Sequence, residues 1–328
     1  MKEKQMESWQ SFEQEAAKSI RTNSIIFLRR AAEEITRHDD GDDAAFDHET
    51  GTVVTVLTQM ALELAIAAYL VEHQGIRAIL EGAEALTEEQ IRENWLNNRL
   101  RTKKFEQNKQ LLARVSPGVW KVFEGVVDMF QNSRNKIVHV HFRFDRNDLY
   151  DLKFESTFVL IKVVTYFIFG SDYDHAKNFA SLLSRDTFDK LVRFKAYQSH
   201  VRAMAEEWSS PALCCPWCRQ RAFAGAELKC FSCGYEHPHM HLLDCLACGQ
   251  YSVIYDNLNL ELNATMPTLC LHCGDKQEVA ECRRCTEAYL VRPGRPPYCS
   301  QACFEDDQAN PGVRRPRRRR SAAGGAGR

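Results

Sequence analysis

The stretch CPWCRQRAFAGAELKCFSC, residues 215 to 233, decides the fold of the C-terminal part of the chain. It contains two pairs of cysteines, and in each pair two residues separate the thiols. Two thiolates at this spacing can chelate one metal ion from a tight backbone turn, and two such turns complete a tetrahedron of ligands. The stretch therefore predicts a small module that folds around a metal ion.

The same pattern recurs towards the C-terminus, so this region holds six chelating pairs. Read in order, with 11, 21 and 13 residues between the two halves, the pairs form three four-cysteine sites. Crossed or interleaved pairings would use the same residues, so the grouping stays open here. The predicted ligands are Cys215, Cys218, Cys230, Cys233, Cys245, Cys248, Cys270, Cys273, Cys282, Cys285, Cys299 and Cys303.

The spacing suits zinc ribbons with short β-hairpins, for example around CFSCGY and QYSVIY. Three residues separate the cysteines of the last pair, in PYCSQACFEDD. If Ser300 begins a helix, Cys299 and Cys303 lie on one helix face, as in treble-clef fingers. The cluster HPHMH (237–241) is an alternative source of a ligand, and Cys214 is expected to be a free thiol.

The cysteine pairs are expected to bind zinc and not to form disulfides, because the expected compartment is reducing. The N-terminus, MKEKQMESWQSFEQE, has no apolar signal-peptide core, so a cytoplasmic location is expected. Paired cysteines in a reducing compartment bind metal more often than they form disulfides. We expect three structural zinc ions, no catalytic metal, and zinc binding as the main source of folding energy in this region.

No cysteine precedes residue 214, and the first two hundred residues have helical character throughout. Thr87 is a candidate N-cap, Gly75 a candidate stop, and Pro117 opens a helix. Apolar runs at 52–71 and 158–169 are read as core helices, so no membrane association is expected. One of them predicts a buried stripe of Val53, Leu57, Met60, Leu64, Ala67 and Val71. Helices are predicted at 6–37, 52–73, 87–95, from Pro117, at 154–169 and at 184–208.

The predicted fold is an all-α helical bundle of five or six helices, followed by small zinc-bound β-rich modules. The tail contains seven arginines and no acidic residue, which predicts disorder. Such a tail either attracts nucleic acid or acts as a non-specific solubilising segment. The predicted domains are a helical domain (6–208), a first zinc ribbon (209–240), a second zinc ribbon (241–280), a treble-clef-like finger (281–308) and the Arg-rich tail (309–328).

The hexapeptide RNKIVH, residues 134 to 139, carries the second chemical signal. Arg134 offers a permanent charge and fixed donors that match a phosphodiester, and His139 can transfer a proton near neutral pH. Together they suffice to cleave RNA without a metal ion, and Asn135 can orient the histidine or a phosphate oxygen. On a helix Arg134 and His139 lie about 140° apart, so a two-fold dimer that joins two copies is one way to make them converge.

These residues resemble the signature of the HEPN superfamily, in which an Arg and a polar residue are followed by a His, with four to six residues between the Arg and the His. His141 also satisfies this spacing, and Glu63 resembles the acidic residue in the superfamily's early apolar helix. RFKAYQSH (193–200) has the spacing but lacks the polar second position, so it is read as a coincidence.

The resemblance implies an α-helical domain that forms a homodimer and acts as a metal-independent endoribonuclease of the toxin–antitoxin or phage-defence class. RNA and an antitoxin or another regulatory protein are the implied partners, with the zinc modules binding RNA or a partner. The alternative is a non-catalytic adaptor, whose zinc modules bind nucleic acid or protein while the helical domain only dimerises. No helix-turn-helix or similar groove-reading signature supports a transcription factor.

Overall fold

A computed structural model divides the chain into two compact units, the helical unit Met1–Val201 and the cysteine-rich unit Arg202–Arg328. This confirms a helical domain followed by β-rich modules. The division falls inside a helix, seven residues before the predicted boundary at 208. The structure describes residues 2–37, 46–138, 145–171, 174–237, 239–261 and 264–311, without the side chains of residues 2–7, 137 and 138.

The helical unit is built from more and shorter helices than the periodicity predicted. The expected helix at 184–208 is wrong as a single element, because a turn at 192–194 divides it into two helices. The expected helix at 154–169 contains a π-helical segment, Val159–Val164, between two α-helices. The helices are α1 (Lys2–Ile35), α2 (His48–Gln74), α3 (Glu88–Leu96), α4 (Phe105–Val115), α5 (Pro117–Val138), α6 (Arg146–Phe158), α7 (Thr165–Phe169), α8 (His175–Leu182), α9 (Arg185–Leu191) and α10 (Lys195–Trp208).

Local residues set the helix ends as predicted. Thr87 caps α3 in a reciprocal capping box with Gln90. Gly75 ends α2 with a positive φ of 78°. A Cβ at Gly75 would lie 2.5 Å from a carboxylate oxygen of Glu13, which accepts a hydrogen bond from the Ile76 amide at 2.9 Å. Only glycine satisfies both the backbone conformation and this close approach of α1.

Helix α2 occupies the centre of the helical unit. It is long and apolar enough to cross a bilayer by composition, but 61% of its most apolar window is buried within the unit. The predicted buried stripe is partly wrong, because Val53 is 41% exposed and Met60 is 37% exposed. Since α2 is apolar on nearly every side, its residue spacing could not select the face that packs.

The cysteine-rich unit contains two antiparallel sheets. A three-stranded sheet is followed by a five-stranded sheet whose strands pair in chain order, from β4 to β8. The larger sheet crosses the predicted module boundary at residues 280 and 281, because β7 spans it. The elements are β1 (Leu213–Cys214), β2 (Arg221–Ala224), β3 (Lys229–Cys230), β4 (Met240–Asp244), β5 (Tyr251–Asp256), β6 (Thr265–Cys270), β7 (Lys276–Glu281), β8 (Ala288–Leu290) and α11 (Gln301–Ala309).

Candidate metal centres and the Arg134 segment

The structure collects the twelve predicted cysteine ligands into three groups. Within each group all Sγ atoms lie within 4.8 Å of one another. The grouping joins consecutive pairs, which is the in-order arrangement left open by the sequence. The groups are Cys215, Cys218, Cys230 and Cys233; Cys245, Cys248, Cys270 and Cys273; and Cys282, Cys285, Cys299 and Cys303.

The distances between thiols fit a shared metal ion. A tetrahedral ion with metal–sulfur bonds of about 2.3 Å separates its sulfur ligands by about 3.8 Å. In the first group the Sγ atoms of Cys215 and Cys233 are 3.8 Å apart, and those of Cys218 and Cys230 are 3.7 Å apart. The equivalent separations in the second group are both 3.8 Å. A disulfide needs about 2.05 Å, and all thirteen cysteines are free.

Five of the six pairs share one backbone turn, which we call the knuckle. In the example at Cys245, the Gly249 amide donates to the Cys245 carbonyl at 2.9 Å, and the Cys245 amide donates to the Gln250 carbonyl at 2.8 Å. The residue after the second cysteine always has a positive φ, and three of the five such residues are glycine. These residues are Arg219 (62°), Gly234 (72°), Gly249 (70°), Gly274 (81°) and Thr286 (59°).

Polar groups around the sulfur atoms complete the knuckles. The Ala247 amide donates to the Sγ of Cys245 at 3.4 Å, and the Gln277 side-chain amide donates to the same atom at 2.9 Å. The Ser252 hydroxyl lies 3.0 Å from the Sγ of Cys270. Donors at these distances stabilise thiolates and orient metal ligands. Nothing in the sequence marks Gln277 or Ser252, because each lies far along the chain from the cysteine that it contacts.

The sixth pair lies at the start of α11, as predicted. The Ser300 hydroxyl caps this helix and accepts a hydrogen bond from the Cys303 amide at 3.2 Å. The Sγ atoms of Cys299 and Cys303 are 3.5 Å apart. The buried Arg284 joins the preceding knuckle to α11 through an ion pair with Asp306 at 2.7 Å.

The remaining candidate ligands lie outside the three groups. Among the described residues only cysteines form them, so the histidines of HPHMH (His237, His239 and His241) lie outside the groups. The Cys214 thiol donates to the Arg219 carbonyl at 3.3 Å. Burial, together with the nearby Cys215 thiol, raises the pKa of Cys214. A raised pKa keeps this thiol protonated and unreactive at neutral pH.

Residues 134–138, the described part of RNKIVH, form the last turn of α5. The Arg134 side chain is half-buried, and its Nη1 donates to the Oδ1 of Asn135 at 3.2 Å. These two signature residues therefore contact each other. His139 and His141 lie outside the described residues, and the convergence of Arg134 with His139 stays a prediction.

A buried carboxyl group lies beside this segment. Glu155 on α6 is 9% exposed and accepts a hydrogen bond from Ser133, next to Arg134 in the chain. Burial raises the pKa of Glu155 in spite of this hydrogen bond and the nearby Lys136. Its Oε2 has no hydrogen-bond partner among the described residues. The sequence did not single out Glu155, because α6 gives no motif that marks it.

The structure also describes Glu63 and His200, two residues that the sequence analysis considered. The carboxylate of Glu63 accepts a hydrogen bond from Gln59 at 2.6 Å, one turn earlier in α2. His200, which ends RFKAYQSH, is buried with its ring 4.6 Å from that of Phe158. Burial lowers the pKa of His200 to about 3, and His175 and Lys162 contribute to this shift. A neutral core histidine agrees with the reading of that motif as a coincidence.

The cysteine-rich unit also carries a groove of about 480 Å³ between its two edge strands, β4 and β8. Its lining includes the apolar side chains of Leu246 and Phe304 and two exposed arginines, Arg292 and Arg295. The groove can therefore accept a ligand that combines apolar and anionic groups.

No family model, curated protein or solved structure matches the chain.

Proposed function

We propose that the chain is a HEPN-type, metal-independent endoribonuclease of the toxin or defence class, located in the cytoplasm. The observation that supports it best is the contact between Arg134 and Asn135 at the end of α5. Both residues lie in an all-helical unit, and a buried carboxyl group at Glu155 lies beside them. The Arg134 guanidinium is half-buried and forms no ion pair with a carboxylate of the described residues, which suits a phosphate ligand.

The proposed reaction uses the 2′-hydroxyl of RNA as the nucleophile. His139, or its copy in a second subunit, takes the proton from this hydroxyl, which attacks the adjacent phosphorus. Arg134 stabilises the charge on the phosphate oxygens, and Asn135 holds the guanidinium in position through the observed hydrogen bond. A protonated imidazole donates to the leaving 5′-oxygen. The products are a 2′,3′-cyclic phosphate and a free 5′-hydroxyl, and DNA is not a substrate because it lacks the nucleophile.

The cysteine groups are proposed to hold three structural zinc ions. Four thiolates at tetrahedral separations suit zinc, which favours sulfur ligands and this geometry. The ions would supply folding energy, and the modules around them would bind RNA, an antitoxin or another regulatory protein. The catalytic steps use none of these ions.

A homodimer through the helical unit is part of the proposal. Three apolar residues of α2 are exposed, namely Val53 (41%), Val56 (51%) and Met60 (37%). Their spacing of three and four places them on one face of the helix. A second subunit that covers this face would remove apolar surface from water.

The experiment incubates the purified full-length protein with total RNA in EDTA and maps the new ends for 2′,3′-cyclic phosphate. His139→Ala and Arg134→Ala should each reduce cleavage by at least about 100-fold. The control is Arg114→Ala, at an exposed arginine of α4, which should cleave normally. Zinc content is measured before and after, so that loss of metal is not mistaken for loss of catalysis. Cleavage that persists in both signature variants would rule this site out.

The second candidate function is a non-catalytic adaptor. It is favoured by the arginine-lined groove at Arg292 and Arg295, which lies on the cysteine-rich unit. Growth of cells that express the chain separates the two functions. Toxicity that disappears in His139→Ala supports the nuclease, and equal growth with both proteins supports the adaptor.

A further inference from the structure

Trp217 is an aromatic residue displayed on the surface of the first knuckle. Its side chain is 75% exposed. The indole lies parallel to the ring of Tyr235, with ring centroids 6.0 Å apart and an interplanar angle of 5°. Tyr235 follows the other knuckle of the same cysteine group, so the two rings join the two halves of the site.

The knuckle does not need an aromatic residue at this position. The second cysteine group carries Ala247 where the first carries Trp217. The amides of both residues donate to the sulfur of the preceding cysteine at the same distance, 3.4 Å. Because the backbone turn is the same, the large exposed indole is not explained by the folding of the turn.

The backbone of Trp217 and the side chain of Tyr235 are both held in place before any ligand arrives. The Trp217 amide is fixed to Cys215 by its hydrogen bond, and the Tyr235 hydroxyl lies 3.8 Å from the sulfur of Met240. The two rings lie parallel, and the high exposure of Trp217 leaves most of the indole accessible to solvent. A flat, fixed and accessible π surface suits a planar aromatic ligand such as a nucleobase.

The surrounding charge favours a nucleic acid. Two arginines, Arg219 and Arg221, follow Trp217 closely in the chain, and the acidic residue next to Tyr235, Glu236, is paired with Lys229 at 3.4 Å. Both arginines are exposed, and neither guanidinium forms a side-chain hydrogen bond or ion pair with the residues that the structure describes. Arginine binds phosphate through its planar set of donors. Aromatic rings beside arginines form the usual surface for single-stranded nucleic acids.

We propose that Trp217 and Tyr235 form a base-stacking platform for single-stranded RNA, and that Arg219 and Arg221 contact the phosphates next to the stacked base. This inference deepens the proposed function, since it rests on RNA as the ligand and names the residues that hold it. It does not depend on cleavage, because the platform lies in the cysteine-rich unit and the proposed reaction in the helical unit.

The test measures binding of a fluorescein-labelled, 12-nucleotide single-stranded RNA by anisotropy. The full chain carries Arg134→Ala in every sample, so that the RNA is not cleaved. Trp217→Ala should weaken binding about 5- to 100-fold, because stacking of one base contributes this much. Trp217→Phe should recover most of the affinity, since it keeps a π face. The control is Leu258→Ala at another exposed apolar residue, 69% exposed, and it should bind normally.

Two further readouts identify the contact. RNA should quench indole fluorescence in the parent protein and much less in Trp217→Phe, because stacking brings the base onto this indole. Arg221→Gln should reduce the slope of log affinity against log salt by about 1, as expected for one lost phosphate contact. Zinc content must be equal in all variants.

Unchanged RNA affinity in Trp217→Ala, with full zinc content, would overturn the platform. This holds even if the same variant no longer binds a protein partner, because the platform is proposed for RNA. Binding that depends on Trp217 in a chain that never cleaves RNA would support the platform and reject the nuclease. Cleavage that depends on Arg134, without any effect of Trp217 on RNA binding, would support the nuclease and reject the platform.

Discussion

The two units of the chain achieve a stable fold by different means. The helical unit buries large apolar side chains completely, among them Phe130, Phe167 and Phe179. In the larger sheet of the cysteine-rich unit, the buried cluster contains Val253, Leu260 and Val279 together with two of the proposed metal ligands. Apolar burial can sustain the first unit alone, whereas a cluster of this size is below what a small domain needs. The comparison teaches that apolar burial does not account for the stability of the second unit, and the proposed zinc ions would supply the rest.

Metal removal should have the largest effect and should separate the units. Each structural zinc contributes about 10 to 16 kcal/mol of folding free energy at neutral pH. We expect a strong chelator to unfold the cysteine-rich unit and to leave the helical circular dichroism signal largely intact. Limited proteolysis should then cut the chain after about residue 208 and spare the helices before it.

Cysteine variants provide the control for this experiment. Cys270→Ser should bind fewer than three ions per chain, because Cys270 belongs to the second group. Cys214→Ser should still bind three, because Cys214 lies outside all groups. If the helical signal disappeared together with the metal, the two units would not be independently stable.

Acid should weaken the helical unit through one buried imidazole. The pKa of His200 is lowered from 6.5 to about 3 by burial, with contributions from His175 and Lys162. Below pH 6.5 the unfolded chain binds a proton at this residue, whereas the folded unit does not until the pH reaches about 3. Stability is therefore present above pH 6.5 and falls as the pH decreases towards 3. At pH 5 the loss should be about 2 kcal/mol.

The measurement is urea unfolding of the helical signal between pH 7 and pH 5, with chelator present so that protonation of thiolates does not contribute. His200→Phe should show a shallower dependence on pH, because it removes the buried imidazole. His73→Gln, at an exposed histidine that contacts the Tyr69 carbonyl, should retain the parent slope. Equal slopes in the parent and His200→Phe would contradict this account.

The smallest effect concerns the residue after the second cysteine of each knuckle, whose backbone has a left-handed conformation with positive φ. Gly249→Ala should destabilise the second metal site by about 1 kcal/mol, because alanine is strained at a φ of 70°. No heavy atom lies within 4 Å of the added Cβ, so this cost belongs to the backbone alone. Thr286→Gly, at a φ of 59°, should strengthen the third site by up to about 1 kcal/mol. The chelator concentration that releases half of the metal measures both changes, and shifts in the same direction would contradict the explanation.

The sequence predicted the cysteine-rich unit best where the determinants are local. Two cysteines separated by two residues, with a glycine after the second, define a turn that does not depend on distant residues. The Ser300 cap of α11 was predictable for the same reason. The pairing of β7 with β8 was not predictable, because strand pairing depends on contacts that residue spacing does not encode.

In the helical unit, the ends of helices were predicted better than their faces. Thr87 and Gly75 each leave a local signal. The buried face of α2 was predicted wrongly at Val53 and Met60, because a helix that is apolar on all sides gives no direction for packing. The π-helical segment Val159–Val164 leaves no signal in a pattern read with a period of 3.6 residues. Glu155 was missed because burial, and not sequence, makes its carboxyl group unusual.

The position of β7 has a consequence for how the unit acquires its ions. This strand begins three residues after Cys273 of the second group and ends one residue before Cys282 of the third. Ordering either group therefore aligns the strand on which the other depends, so the second and third ions should be taken up cooperatively. The first group lies on the separate three-stranded sheet and should fill in its own step. A zinc titration of the stripped chain would then show two transitions, one of them with twice the stoichiometry of the other.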